Sequence, residues 1–189
     1  VRPREFKAKD VEVNSQSIRG VVGLRGETFA DFEWESALLY SRAWTRDEEG
    51  NNIRDSLFRQ SLLRTDATAF NPFGYTFKVV GTTVQVDQPY TNPDSVVNPL
   101  YDTFIREGTT ELATWDAKVN GTLFDVWGGR VGAALGLEYR WESYKDWRPE
   151  YHGLNPAGFS TIPNDNDFIG LSPNLNLYSD RDVMSAYSE

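Results

Sequence analysis

Cysteine is absent from the 189 residues, and histidine and methionine occur once each. Without a thiol there is no disulfide, no thiolate metal site and no cysteine nucleophile, although the compartment stays open. There is also no run of about 18 apolar residues, which excludes a transmembrane helix. Basic residues are in short supply, with 19 Lys and Arg against 28 Asp and Glu and a formal net charge of −9. A chain so acidic lacks the cationic face that displaces counterions from a duplex, and no nucleic-acid partner is expected. None of this speaks against a membrane β-barrel, whose strands need only about 10 alternating residues. The stretch opens at Val1 without a Met, a basic n-region or an apolar h-region, so it contains no signal peptide. It stops at Glu189 within what reads as a strand, Val183 to Glu189. An internal piece of a longer protein is therefore expected.

What the chain does have is period-two alternation. From Arg130 to Tyr144, Val131, Ala133, Leu135, Leu137, Tyr139 and Trp141 alternate with Arg130, Gly132, Ala134, Gly136, Glu138, Arg140 and Glu142. Alternate side chains of a strand point to opposite faces, so one face here is apolar and the other charged or small. Ala113, Trp115, Ala117, Val119 and Leu123 alternate in the same way with Thr114, Asp116, Lys118, Asn120 and Thr122. Asp125-Val126-Trp127-Gly128-Gly129 between them predicts a tight hairpin, since glycine reaches positive φ without strain. Two earlier runs follow, Ile18, Gly20, Val22 and Leu24, then Trp34, Ser36, Leu38 and Tyr40. Arg4 to Val13 reads as a further strand of unsettled facing, which brings the count to about six.

Connections fall into two length classes. Short ones are expected at Glu27 to Asp31 and at Trp127 to Gly129, long ones from Thr45 to Glu111 and from Trp147 to Asp180. If direction reverses each time, both short turns share one end of the sheet and both long loops the other. A turn near Asn14 to Gln16 would break that trend. The long segments are rich in turn formers such as Asn71-Pro72-Phe73-Gly74, Asn92-Pro93-Asp94 and Asn164-Asp165-Asn166-Asp167. Segments of that length seldom lack internal structure. A helical turn near Asn98 to Arg106 and a small hairpin at Phe77 to Val86 are expected inside the first.

A soluble β-sandwich alternates too, with its apolar face turned inward. Strands of about 15 residues exceed the usual 5–6. The polar faces mix charge with Gly and Ala, which suits a water-filled lumen. Aromatics sit toward strand ends (Trp34, Trp44, Trp115, Tyr139, Trp141), as in interfacial girdles. Together with the asymmetric connections, these features favour an all-β fold: an antiparallel transmembrane β-barrel segment, part of a larger barrel, with long extracellular loops. Asp116, Lys118, Glu138, Arg140 and Glu142 would face the lumen, and Leu135 and Leu137 the lipid. Arginine at either leucine should block membrane assembly, while Gly136→Arg should be better tolerated.

The stretch Trp115 to Glu142, WDAKVNGTLFDVWGGRVGAALGLEYRWE, resembles the barrel of TonB-dependent outer-membrane transporters. There a "G-x-L-F" strand meets a short periplasmic turn and an "A-x-G-x-E-Y-R" strand. Asn71-Pro72-Phe73-Gly74 and the segment Arg181 to Glu189 are similar to the same group, and the resemblance covers most of residues 17 to 189. It implies that residues 1–189 are a partial barrel domain, since the plug domain, the energy-coupling box and the terminal aromatic strand do not occur in it. A complete barrel of this kind has roughly 22 strands. It further implies an outer-membrane protein of a Gram-negative bacterium that takes up a scarce nutrient (a siderophore, cobalamin or an oligosaccharide). Its partners would be outer-membrane lipid, the small-molecule nutrient and TonB, the last through the missing N-terminal region. Such a protein is no enzyme and needs no cofactor. Rivals are a secreted carbohydrate-binding β-sandwich and a passive porin-like barrel. An open sheet with unpaired edges should not be stable alone.

Few residues invite chemistry. The lone His152, in a loop, reads as solvated. Asn164 to Asp167 offers oxygen ligands but lacks the spaced acidic pattern and distal Glu of a calcium loop. Glu138 and Glu142 beside Arg140 read as lumen ion pairs, not as a glycosidase pair. No nucleophile elbow or phosphate-binding loop occurs, so no catalytic or metal-binding residue is expected. The loop aromatics Tyr75, Phe77, Tyr90, Trp147, Tyr151 and Phe159 are either stacking platforms or loop packing. Tyr75, Tyr90, Trp147 and Tyr151 are the candidate ligand contacts.

Overall fold

The computed structural model describes residues 5–28, 31–155 and 163–189, and it is mostly antiparallel β-sheet. Among the described residues no helix is long and apolar enough to cross a membrane. In chain order the elements are β1 (Asp10–Glu27), β2 (Phe32–Ile53), α1 (Asp55–Leu63), β3 (Tyr75–Val80), β4 (Thr83–Pro89), α2 (Asp94–Val97), a 3-10 turn at Asn98–Leu100, β5 (Tyr101–Val126), β6 (Gly129–Trp147) and β7 (Leu177–Ser188). One sheet has the order β1-β2-β5-β6-β7, and β3-β4 stands as a separate hairpin. Contacts divide the chain into a sheet unit (Asn14–Arg46, Glu107–Trp147, Leu177–Glu189) and a loop unit (Val1–Val13, Asp47–Arg106, Arg148–Asn176).

In the sheet unit the alternation becomes a register. Leu135, Leu137, Tyr139 and Trp141 of β6 stand directly opposite Val119, Ala117, Trp115 and Ala113 of β5. On the other side, Leu137 and Tyr139 meet Ala186 and Met184 of β7. The Trp115 indole donates to Ser36 Oγ, and the Trp34 ring lies over Gly26, so β1 and β2 bring their alternating sets to the same face. A one-residue slip of any strand would turn its apolar set to the other side. Among the described residues of the unit no second layer covers this face. Leu38, Leu135 and Leu137 are 55%, 55% and 54% exposed, and the fully buried apolar residues all belong to the loop unit.

The apolar stretch has ends. Along β6 it runs from Val131 to Trp141, about 33 Å long at the usual strand rise. At one end hydroxyls reach carboxylates on the same face. Tyr40 donates to Glu111 at 2.8 Å and Tyr139 to Asp182 at 2.5 Å, and beyond them Arg46 pairs with Glu107 at 2.9 Å. Aromatics with an apolar body and a polar tip favour such a boundary.

Several sequence expectations are corrected. Of the strand expected over Arg4 to Val13, Arg4 lies outside the described residues, residues 5–9 are not strand and Asp10 to Val13 open β1, and the turn at Asn14 to Gln16 does not form. β1 runs unbroken through Asn14, Ser15 and Gln16, whose turn chemistry yields to pairing with the 22-residue β2, and Ser15 Oγ meets Thr45 Oγ1 at 3.1 Å. Removing that turn leaves the short connections as residues 28–31 and Trp127–Gly128. Because β6 is antiparallel to both β5 and β7, the latter turn and the long connection 148–176 leave opposite ends of the sheet. β2 and β5 also extend to Ile53 and from Tyr101, well past the expected Trp44 and Leu112. Thr45 to Asn52 carries no apolar residue, and Tyr101, Phe104 and Ile105 do not keep a period of two, so no alternation marked these extensions. A bulge between Thr122 and Phe124 makes Leu123 an extra residue and places Phe124 opposite Val131.

Gly136 has a neighbour that facing alone does not reveal. It pairs with Tyr187, and a Cβ at 136 would lie 2.0 Å from that ring. Gly121 has the same relation to Phe32 at 2.6 Å. Rings over cross-strand glycines recover burial that glycine cannot supply. An arginine at 136 would have to displace the exposed Tyr187 ring, a demand that facing alone does not show.

The loop unit has its own core. Phe70, Val96, Val97 and Leu100 are buried, with Phe6, Ile53, Leu57, Phe58 and Tyr101 packed against them. Phe58 meets Phe70 edge-on at 5.2 Å between centroids. Burying a side chain such as Phe70 is worth about 1.5–3 kcal/mol, which gives the 54–100 connection a reason to fold. The expected hairpin forms as β3–β4. The helical turn falls at 94–100, because Asn98 onward already belongs to the 3-10 turn and then to β5.

Candidate functional site

The five residues assigned to one polar face share it. Asp116 stands opposite Glu138, Lys118 opposite Gly136, Arg140 opposite Thr114 and Glu142 opposite Leu112. Lys118 Nζ lies 3.4 Å from Glu35, and Arg140 Nε lies 3.3 Å from Glu142 and 3.9 Å from Glu138. Arg181 Nε donates to Glu142 Oε2 at 2.6 Å. Arg140 Nε is buried without an aligned acceptor. These side chains form a line of alternating charge across β2, β5, β6 and β7, a solvated ion-pair surface with no nucleophile or base poised against another group.

Three of the four candidate loop aromatics, Tyr75, Tyr90 and Tyr151, belong to the loop unit. Tyr75 lies exposed on β3 and Tyr90 follows β4, its N–H donating to Gly74 O at 2.8 Å. Trp147 ends β6 and belongs to the sheet unit. Phe77 packs edge-on with Phe73 at 5.4 Å, and Phe159 lies outside the described residues. Only Tyr151 is built into a dense cluster.

That cluster joins the two long connections inside the loop unit. Asp167, wholly buried, accepts from Arg54 Nε at 2.8 Å, Ser56 N at 2.8 Å and Ser56 Oγ at 2.6 Å, and it pairs with Arg54 Nη2 at 2.7 Å. Its carboxylate thereby caps α1 from a distant segment, where the helix's own flanking residue, Arg54, offers no cap. The Arg54 guanidinium lies 4.0 Å over the Tyr151 ring, and the Tyr151 hydroxyl donates to Asp102 at 3.3 Å. Tyr151 adopts φ +56°, costly for a bulky side chain, and the cation and carboxylate around it hold it there. Burial, with Asp102 adding to it, pushes the Tyr151 hydroxyl above its ordinary pKa.

His152 is not solvated, as its loop position had suggested. It is 4% exposed, stacks on Phe104 and meets Phe168 edge-on at 5.0 Å. Its Nδ1 accepts the Ile105 N–H at 2.9 Å, which fixes the neutral Nε2–H tautomer. Burial pulls its pKa below the ordinary histidine value, against the opposing pull of Asp102. Because the folded pKa lies below the unfolded one, the unfolded state takes up a proton first on acidification. His152 therefore contributes stability above about pH 6.5, and that contribution is lost as pH falls from there toward the folded pKa. Amide exchange at Ile105, corrected for its intrinsic rate, should lose protection between about pH 7.5 and 5. A His152→Asn variant should show a much flatter profile.

Nor does Asn164 to Asp167 present a free set of oxygens. Asp167 is committed to Arg54 and Ser56, Asn166 Oδ1 accepts the Phe168 N–H, and Asp165 Oδ1 accepts the Asn166 N–H. Among the described residues no group of three His, Asp or Glu is disposed around a metal. No spacing in the sequence links Arg54, Asp102 and Asp167, and only the tertiary fold brings positions 54, 102 and 167 together. Comparison of the chain with protein-family models, with curated proteins and with solved structures gave no match.

Proposed function

We propose that this chain is a stretch of the wall of an outer-membrane β-barrel of the TonB-dependent transporter type, with its two long connections on the extracellular side. The parent would take up a scarce nutrient across the outer membrane of a Gram-negative bacterium, with energy supplied through TonB, and would make or break no bond. The observation that carries this is the uncovered apolar face: Leu38, Leu135 and Leu137 stand exposed in mid-sheet while their neighbours in register repeat the pattern. In water, five adjoining strands with such a face would form an aggregation surface, whereas lipid supplies the missing layer. The ion-paired opposite face fits a wet lumen, and the hydroxyl–carboxylate pairs fit an interfacial belt. A soluble sandwich needs a second layer over Leu135 and Leu137, and the described residues of the sheet unit supply none.

The test uses the full-length parent in its host. Expected are recovery in the outer-membrane fraction, a gel mobility that shifts on boiling, and accumulation of its nutrient that stops when TonB is deleted. Recovery in the soluble fraction without a mobility shift would overturn the barrel. Uptake that survives loss of TonB would leave a passive porin in its place.

A further inference from the structure

On the ion-paired face of the sheet unit is a groove of about 490 Å³ lined by Ser41, Thr110, Glu142, Tyr144, Ser179 and Arg181, within the roughly 300–1,000 Å³ of small-molecule sites. Register puts these groups on one side: Thr110 stands opposite Tyr144 and Leu112 opposite Glu142, while Ser179 and Arg181 face Tyr144 and Glu142 from β7. Asp180 and Glu111, which also border the groove, have the other parity, since Asp180 pairs with Ser143 and the Ser143 hydroxyl reaches Glu111. We propose that this groove binds a neutral oligosaccharide, with Tyr144 as a stacking platform and the Glu142–Arg181 pair gripping sugar hydroxyls. The assignment rests on the barrel proposed above and selects one ligand class for it.

Charge decides between the classes. The one cation lining the groove, Arg181, is paired with Glu142, and Arg140 beside it lies against Glu142 and Glu138. A multiply anionic ferric chelate would meet three carboxylates, Glu111, Glu142 and Asp180, against the already paired Arg181. Vicinal hydroxyls both donate and accept. They can therefore give to Glu142 and receive from Arg181 without breaking that pair, and such charge-assisted bonds are the strong ones. Three aliphatic hydroxyls, a half-exposed tyrosine and one carboxylate–guanidinium pair are the functional groups that suit a polyol.

The experiment is calorimetric titration of the full-length parent in detergent with maltohexaose, cellohexaose and xylohexaose, and separately with a ferric tris-catecholate. Each preparation is first checked for heat-modifiable mobility. At least one hexasaccharide should bind, Tyr144→Ala and Arg181→Ala should each weaken it about tenfold or more, and Tyr144→Phe should retain most of the affinity. If an intact barrel binds none of the three sugars, binds only the ferric chelate, or binds sugar equally after both alanine substitutions, the site is wrong while the barrel stands. A preparation lacking heat-modifiable mobility and outer-membrane location overturns the barrel and this site together.

Discussion

Asp167→Leu in the full-length parent is expected to cost about 3–5 kcal/mol of local stability, the usual result of leaving a buried charge without its partner. Arg54 has a side chain 19% exposed and loses its doubly bonded carboxylate, while Ser56 loses acceptors for both its N–H and its hydroxyl. The effect should concentrate in α1, whose first turn has no cap other than Asp167, and in the segment around Phe168 that bridges to Arg54. Amide exchange across Asp55–Leu63 is the direct readout, with protection expected to fall by a factor of about 10² to 5 × 10³. Asp167→Asn should lose less, because an amide oxygen can still accept from Ser56 N. Pairing Asp167→Leu with Arg54→Met should recover much of the loss, since removing both charges removes the stranded one. A single substitution that changes protection by less than about tenfold would show that the cluster is an exposed pair worth under about 1 kcal/mol.

What could be foreseen followed from periodicity. Leu135, Leu137, Tyr139 and Trp141 had to share a face because strand geometry has a period of two, and the register with Ala113 to Val119 follows from a turn as short as Trp127–Gly128. The same geometry set Asp116, Lys118, Glu138, Arg140 and Glu142 together. Where alternation stops, foresight stopped too. Arg46 to Ile53 and Tyr101 to Glu111 are strand because they continue β2 and β5 between the neighbours β1 and β6, not because their own sequence requires it. Asn14 to Gln16 carries turn residues that a long partner strand overrides. The Arg54–Asp167 clasp joins positions 113 residues apart, and no local signal encodes a contact of that range. Tyr187 over Gly136 is a cross-strand relation of the same kind: facing could be read at both positions, but not which ring would cover which glycine.

The facing itself is open to a sharper trial. Leu135→Arg and Leu137→Arg each place a cation near the middle of the Val131 to Trp141 stretch, where a lipid-facing charge costs about 2–4 kcal/mol. The two side chains lie on one face two residues apart, so the double variant should lose roughly the sum and fail to reach the heat-modifiable form in phospholipid vesicles. The control must sit at the same depth on the other face without striking a neighbour. Gly136 does not qualify, because Tyr187 occupies the space its side chain would need. Asn120 does: it is exposed, pairs with Ala134, and adjoins Val119, the partner of Leu135. Asn120→Arg should therefore assemble at near the parental yield, since an arginine there has the neighbouring carboxylate face and water to solvate it. Folding yield after dilution from urea, read as the fraction of heat-modifiable protein, separates the cases. If Asn120→Arg fails as badly as Leu135→Arg, both faces are buried in something apolar, and a barrel with a wet lumen is the wrong architecture. If all three variants assemble alike, no lipid touches Leu135 or Leu137, and the missing layer over that face must be protein.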